Sequence, residues 1–174
     1  MSITKIAEVV VGSGGAASID FTSIPGTYTD LLLVLSTRCT NSAVTGPIYM
    51  SFNGATSNRS ARTLNGTGSS VGSYTISDNF LFDTVGNTAT SNTFNSSNIY
   101  IPNYAGSANK SFSVDTVNEN NVTASNQVLE AGLWSSTASI ASISITSTGF
   151  NLMQYSTATL YGVTKGSSGG VTVS

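Results

Sequence analysis

Histidine is absent from the 174-residue chain, and cysteine occurs once, as Cys39. The first absence removes the commonest general base and the commonest metal ligand. The second excludes an intrachain disulfide and a cysteine zinc site. Charge is scarce as well. Lys+Arg 6 and Asp+Glu 8 make up 8 % of residues, against the usual quarter, and leave a formal net charge of −2. No basic field exists to hold a nucleic-acid backbone, so nucleic acid is not an expected partner. Long apolar runs are also missing. The most hydrophobic one, Leu31 to Leu35, is far shorter than the roughly 20 residues of a membrane span. Near the N-terminus Glu8 interrupts Ile6 to Val11, which is too short for a signal-peptide core, so the sequence predicts synthesis in a cytoplasm without processing.

What remains is a neutral chain, 39 % hydrophobic and otherwise dominated by Ser, Thr, Asn and Gly. Disorder pairs low hydrophobicity with high charge, and this chain has neither extreme. Its length suits one domain with a real core. Leu31 to Leu35 reads as a strand buried on both faces and central to a sheet, with a short buried helix as the competing reading. Pro25-Gly26 before it is a turn pair, with glycine able to take positive φ.

Alternation of apolar and polar residues marks further strands. Ile3–Val11 is closed by Gly12-Ser13-Gly14-Gly15, read as a hairpin turn, and Ala17–Thr22 follows. Pro47–Phe52 places Ile48, Met50 and Phe52 on one face before the Asn53-Gly54 turn signal. Residues 55–92 read as long loops with one or two short strands, one of them carrying Arg59, Arg62 and Leu64. Lys110–Asn118 places Phe112 and Val114 on one face. Gln127–Ser135 is read with Leu129, Ala131 and Leu133 inward and Val128, Glu130 and Trp134 on the other face. Segments 139–147 and 157–163 complete nine or ten strands. This predicts an all-β fold, an antiparallel two-sheet jelly-roll sandwich, with an immunoglobulin-like sandwich as runner-up. One domain spans 1–163, and 164–174 is a Gly/Ser-rich C-terminal tail.

Candidate chemistry is thin. Asp115 and Glu119, four apart on a strand, point to one side, but ordinary surface charges account for them better than a glycosidase pair. Asp78, Asn79 and Asp83 offer loop oxygens without a calcium-loop pattern. A serine nucleophile would lack histidine as its base. The reading is therefore no enzyme and no cofactor or metal. Trp134, Tyr74, Tyr104 and Tyr155 are candidates for a sugar-stacking platform or an interface. Arg59 and Arg62 are candidate anchors to an acidic partner surface.

The segments Ile19-Asp20-Phe21-Thr22-Ser23-Ile24-Pro25 through Leu31, Ser51-Phe52-Asn53-Gly54, Ile99-Tyr100-Ile101-Pro102-Asn103-Tyr104 and Tyr155 through Gly162 resemble small structural proteins of tailed bacteriophages, notably aquatic and cyanobacterial ones. The resemblance covers nearly the whole chain and carries no catalytic site. It implies a jelly roll, often trimeric, serving as a virion component. Two roles follow. The first is a head decoration (cement) protein that binds the major capsid protein on the outer head surface and stabilises capsomer contacts. The alternative is a tail-fibre or receptor-binding module recognising host surface glycans. A domain that starts at Met1 favours the free-standing decoration unit, and a glycan-acting enzyme ranks third. The expected partner-binding residues are Ile3, Lys5, Arg59, Arg62, Val128 and Trp134, the last two in a homotrimer interface. No membrane partner is expected.

Overall fold

The computed structural model describes residues 1–121 and 125–165. Twelve strands follow one another: β1 (Ser2–Val10), β2 (Ser18–Phe21), β3 (Asp30–Ser36), β4 (Thr45–Phe52), β5 (Arg59–Gly66), β6 (Val71–Ser77), β7 (Leu81–Val85), β8 (Ser96–Pro102), β9 (Lys110–Asn118), β10 (Asn126–Trp134), β11 (Ile143–Ser147) and β12 (Thr157–Thr164). No helix occurs among the described residues. The strands form two antiparallel sheets. The larger has eight strands in the order β1-β12-β3-β8-β9-β10-β5-β6, and the smaller has four in the order β2-β11-β4-β7. The chain passes repeatedly from one sheet to the other, so most strands pair with partners distant in sequence.

The core lies between the sheets. Leu31, Leu33, Leu35, Ile99, Ile101 and Leu160 face it from the larger sheet, and Ile19, Phe21, Ile48, Met50, Phe52, Ile143 and Ile145 from the smaller. Period-two alternation produces this directly: every second residue of β9 is buried, from Lys110 to Asn118. One end of the core is aromatic. Phe52 lies 5.3 Å from Phe112, 5.6 Å from Phe80 and 5.8 Å from Trp134 between ring centroids, and Phe80 meets Phe112 edge-on at 4.6 Å. Gly132 sits opposite Phe112 across β9 and β10, and a Cβ there would collide with the Phe112 ring. The glycine makes the room that the ring fills.

Several expectations are revised. Leu31–Leu35 is a strand near the middle of the larger sheet, but only Leu31, Leu33 and Leu35 are fully buried, while Leu32 and Val34 are half-buried on the outer side. The 55–92 region holds three strands, β5, β6 and β7, and is far more regular than its polar composition implied. Asn53 and Gly54 both adopt positive φ, 51° and 68°, as the turn signal required, yet the turn sends the chain from one sheet to the other. The Gly12–Gly15 turn likewise connects sheets and closes no hairpin. In the Pro25-Gly26 stretch positive φ falls on Ser23 and not on Gly26.

The largest revision concerns β10. Val128 and Trp134 are 2 % and 5 % exposed and belong inside, whereas Leu129, Ala131 and Leu133 point outward. The inward positions are selected by what they meet: Trp134 packs on Phe52, and Gly132 accommodates Phe112. β12 runs through Thr164, and most of the tail expected over 164–174, residues 166–174, lies outside the described residues.

Candidate functional site

The outer face of the larger sheet is the surface on which side chains are presented without cover. Register places them in rows across the strands. One row runs Lys5, Tyr161, Leu32, Tyr100, Ser113, Ala131, Arg62 and Thr75. The adjacent row contains Val34, Asn98, Asp115, Leu129, Leu64 and Ser73. Leu64 and Leu129 stand directly opposite each other and remain 52 % and 45 % exposed. Tyr100 and Val117 are exposed beside them. A shallow groove of about 460 Å³ crosses this region, bordered by Arg62, Leu64, Ser73, Asp115, Leu129 and Ala131.

Two of the charges at the groove, Arg62 and Asp115, form no ion pair among the described residues. The Arg62 guanidinium donates to the Ala61 carbonyl at 3.1 Å, and Asp115 accepts only a long bond from Gln127 at 3.5 Å among the described residues. The ion pairs among those residues are Lys5–Glu8, at 2.8 Å, and Lys165–Asp30, at 3.1 Å. Arg62 and Asp115 therefore stand on opposite flanks of an apolar strip, each without a charged partner in the described chain.

The expected partner-binding residues separate into two sets. Ile3, Lys5 and Arg62 are all exposed, and Lys5 and Arg62 share the outer face. Six strand spacings of about 4.8 Å put them nearly 30 Å apart, so they form no single cluster. Arg59 is turned the other way: its guanidinium lies 5.8 Å from the centre of the Phe80 ring, and burial lowers its pKa. Three residues along a strand reverse the face, which is why Arg59 and Arg62 do not act together. Val128 and Trp134 are core residues and leave the interface. The tyrosine and tryptophan platform does not form either, since Trp134 and Tyr104 are buried whereas Tyr74 and Tyr155 are exposed.

Residues from three stretches of the sequence, 25–30, 100–104 and 162, meet at one corner. Tyr104 is buried, and its hydroxyl donates to the Pro25 carbonyl while accepting a 3.4 Å bond from the Tyr28 backbone N–H. The Tyr28 ring occupies the space that a side chain at position 162 would need, so only glycine fits there. Asp30 is 1 % exposed and accepts from the Tyr100 hydroxyl at 2.5 Å and the Asn103 backbone N–H at 2.9 Å. These residues join β3, the segment after β8, and β12. They build scaffold.

Asp30 also sets an acid response. Burial alone would raise its pKa, but the Tyr100 hydroxyl, the Asn103 N–H and Lys165 outweigh it and hold the carboxyl below the ordinary range. A carboxylate with a depressed folded pKa contributes stability above its unfolded value, near 3.9, and loses it as pH falls through the folded value. Asp30→Asn is expected to cost about 2 kcal/mol near neutral pH, the scale of a charge-assisted hydrogen bond. Urea denaturation across pH checks this: the gap between wild type and variant should be constant above about pH 5 and narrow as pH falls below the unfolded value and through the lower folded one. A gap independent of pH would show that the carboxylate charge is not what stabilises the corner.

Two buried polar features had no sequence signal beyond scattered Thr and Asn. Beside β7, Thr37 Oγ1 meets Thr84 Oγ1 at 2.7 Å, Asn95 Oδ1 accepts the Thr37 N–H at 2.6 Å, and Asn95 Nδ2 donates to Ser97 Oγ at 2.9 Å. Asn126 continues the polar interior by donating to Asp83 at 2.7 Å and accepting from Asn118 at 2.8 Å. Burial pushes the Asp83 carboxyl up, opposed by the Asn126 donor. The second feature is Arg38, 5 % exposed, whose guanidinium donates to the carbonyls of Asn87, Ala89, Thr90 and Thr93. Cys39 beside it is fully buried, and burial raises its thiol pKa.

Asp115 and Glu119 are both exposed, and Glu119 is engaged by the Asn121 backbone N–H at 2.8 Å. No group of three His, Cys, Asp or Glu side chains among the described residues is placed to hold a metal ion. No helix among them is long and apolar enough to cross a membrane. In comparisons with known proteins the chain matches no family model, no curated sequence and no solved structure.

Proposed function

We propose that this chain is a structural, non-enzymatic component of a tailed-bacteriophage virion. In this reading it is a decoration protein on the outer head surface that binds the major capsid protein and holds neighbouring capsomers together. The observation that carries the reading is the outer face of the larger sheet, broad, weakly charged and apolar at its centre, on a scaffold whose distinctive residues are spent on structure. Such a face suits lasting contact with protein more than turnover of a small substrate. Contacts repeated by symmetry over a shell add up through effective concentration, so each can be weak. The strands lie in antiparallel ladders with a continuous core, which suits a unit that bears load.

The sandwich reads as a jelly roll. The order β2-β11-β4-β7 follows the first, last, third and sixth strands of an eight-stranded roll. The order β3, then β8-β9-β10, then β5-β6 follows the other sheet, with a three-strand meander in place of one strand and β1 and β12 added at the edge. Ile3, Lys5 and Arg62 remain the proposed contact residues.

Electron cryomicroscopy of virions, with antibody label against this chain, tests the role. Density spread over the head, clustered in threes at local three-fold positions, is the expected result. Density confined to the tail tip would overturn it in favour of a glycan-recognising fibre module.

A further inference from the structure

We propose that the outer face of β5, β10 and β9 is the surface on which three copies of this chain meet, with Arg62 of each copy paired to Asp115 of the next. The proposal deepens the trimer of the preceding section and rests on that reading for the number of copies. Its starting point is β10. This strand turns its leucines to solvent and its only carboxylate, Glu130, into the sandwich. Around it the outer side exposes Leu64 and Leu129, although the inner side has polar residues of its own in Thr63, Thr116 and Asn118. The Leu64–Leu129 cross-strand pair, with Ala131 beside it, forms a strip that water covers in a lone chain and that a protein surface would dry.

The charges identify another copy of the same chain as the occupant. Arg62 lies on β5 and Asp115 on β9, one on each side of β10. Neither has an ion-pair partner among the described residues. If three faces turn toward a common axis running along β10, the β5 flank of one copy meets the β9 flank of its neighbour. Each Arg62 then reaches an Asp115, no charge is left over, and the ring closes. A foreign partner with a single charge sign would satisfy only one flank. The three strands, about 4.8 Å apart and eight residues long, cover roughly 380 Å² in plan, a small face beside the ~800 Å² that a standard interface takes from each partner, so association is expected at micromolar and not nanomolar concentration.

Sedimentation equilibrium of the full chain, from low micromolar to a few hundred micromolar, tests the proposal. Wild type should reach about 53 kDa, three times 17.8 kDa. Leu129→Glu should weaken association at least tenfold, as should Arg62→Asp or Asp115→Arg alone. The double variant Arg62→Asp with Asp115→Arg should return to within about threefold of wild type, because the swapped charges meet again. All three positions are exposed, and circular dichroism with thermal midpoints confirms that each variant is folded; Leu129→Gln replaces Leu129→Glu if it is not. A wild-type monomer throughout, a dimer endpoint, association indifferent to Leu129, or a double variant as weak as the singles would each overturn the proposal. Virion imaging is read separately. A monomer spread over heads would remove this interface and leave the decoration role, whereas a trimer found only on tails would do the reverse.

Discussion

Phe52→Ala is expected to lower the unfolding free energy by about 3–5 kcal/mol, the range for deleting a fully buried aromatic ring. Phe52 is fully buried and contacts Phe80, Phe112 and Trp134 at once, with tilted and edge-on geometry that adds to simple area burial. Those neighbours cannot collapse into the vacated space. Phe112 is held over Gly132, and Trp134 is anchored in the ladder between β9 and β5. With a domain stability of about 5–15 kcal/mol, the loss is a large share of the total. Urea denaturation reads it as a fall in midpoint at unchanged slope. A cost below about 1 kcal/mol would mean that the aromatic end of the core repacks freely, contrary to the arrangement described.

The aromatic cluster also explains how much of the fold could be read in advance. β4 and β8 alternate large apolar residues with Ser, Asn or Tyr, and β9 does so at Phe112 and Val114, so period two picks out one face there without ambiguity. β10 does not. Its residues Val128, Gly132 and Trp134 compete with Leu129, Ala131 and Leu133 for the inward position, and by local hydrophobicity the leucines win. The decision is made by tertiary partners: the Trp134 indole fits beside Phe52, and a side chain at 132 would strike Phe112. A one-residue change of register moves a whole strand's side chains to the other face, so this local ambiguity reversed every assignment on β10. β6 was obscured for a different reason. Most of Val71–Ser77 is exposed, and its hydrogen bonds to β5 hold it at the sheet edge without an apolar signature.

The candidate surface was half legible. Arg62 stood out because cations are scarce, and it lies where a contact residue is needed. Leu129 is hidden by the expectation that the leucines of its strand face inward, and Leu64 carries no facial signal of its own, although their exposure is what makes the surface notable. Asp115 was noticed for its spacing from Glu119, a pairing along the chain. Its placement relative to Arg62 depends on β5 and β9 flanking β10, which no local pattern encodes.

Arg38→Met is the remaining large effect, with an expected cost of about 3–5 kcal/mol, since bonds from a charged donor are each worth about 1.5–3 kcal/mol and water recovers part of the loss. Arg38 follows β3 and lies almost completely buried under the segment between β7 and β8. That segment has no ladder of its own to satisfy its carbonyls. The guanidinium does so instead, with Nη1 donating to Thr90 at 2.7 Å and Thr93 at 3.0 Å, and Nη2 donating to Ala89 at 3.0 Å and Asn87 at 3.2 Å. Methionine keeps the length and apolar stem but supplies no donor, so the carbonyls of Asn87, Ala89 and Thr93 must find water or remain unpaired, while that of Thr90 keeps the Thr93 hydroxyl at 2.6 Å. Lysine keeps the charge but not the planar fork, and Arg38→Lys should recover less than half of the loss. Because the bonds concentrate on one segment, the damage should appear there first. Amide hydrogen exchange across residues 86–95 is expected to accelerate at least tenfold in Arg38→Met, beyond the change in β9 and β12. Uniform acceleration over all strands would show that Arg38 supports the domain globally, and no acceleration at 86–95 would show that the carbonyls do not depend on it.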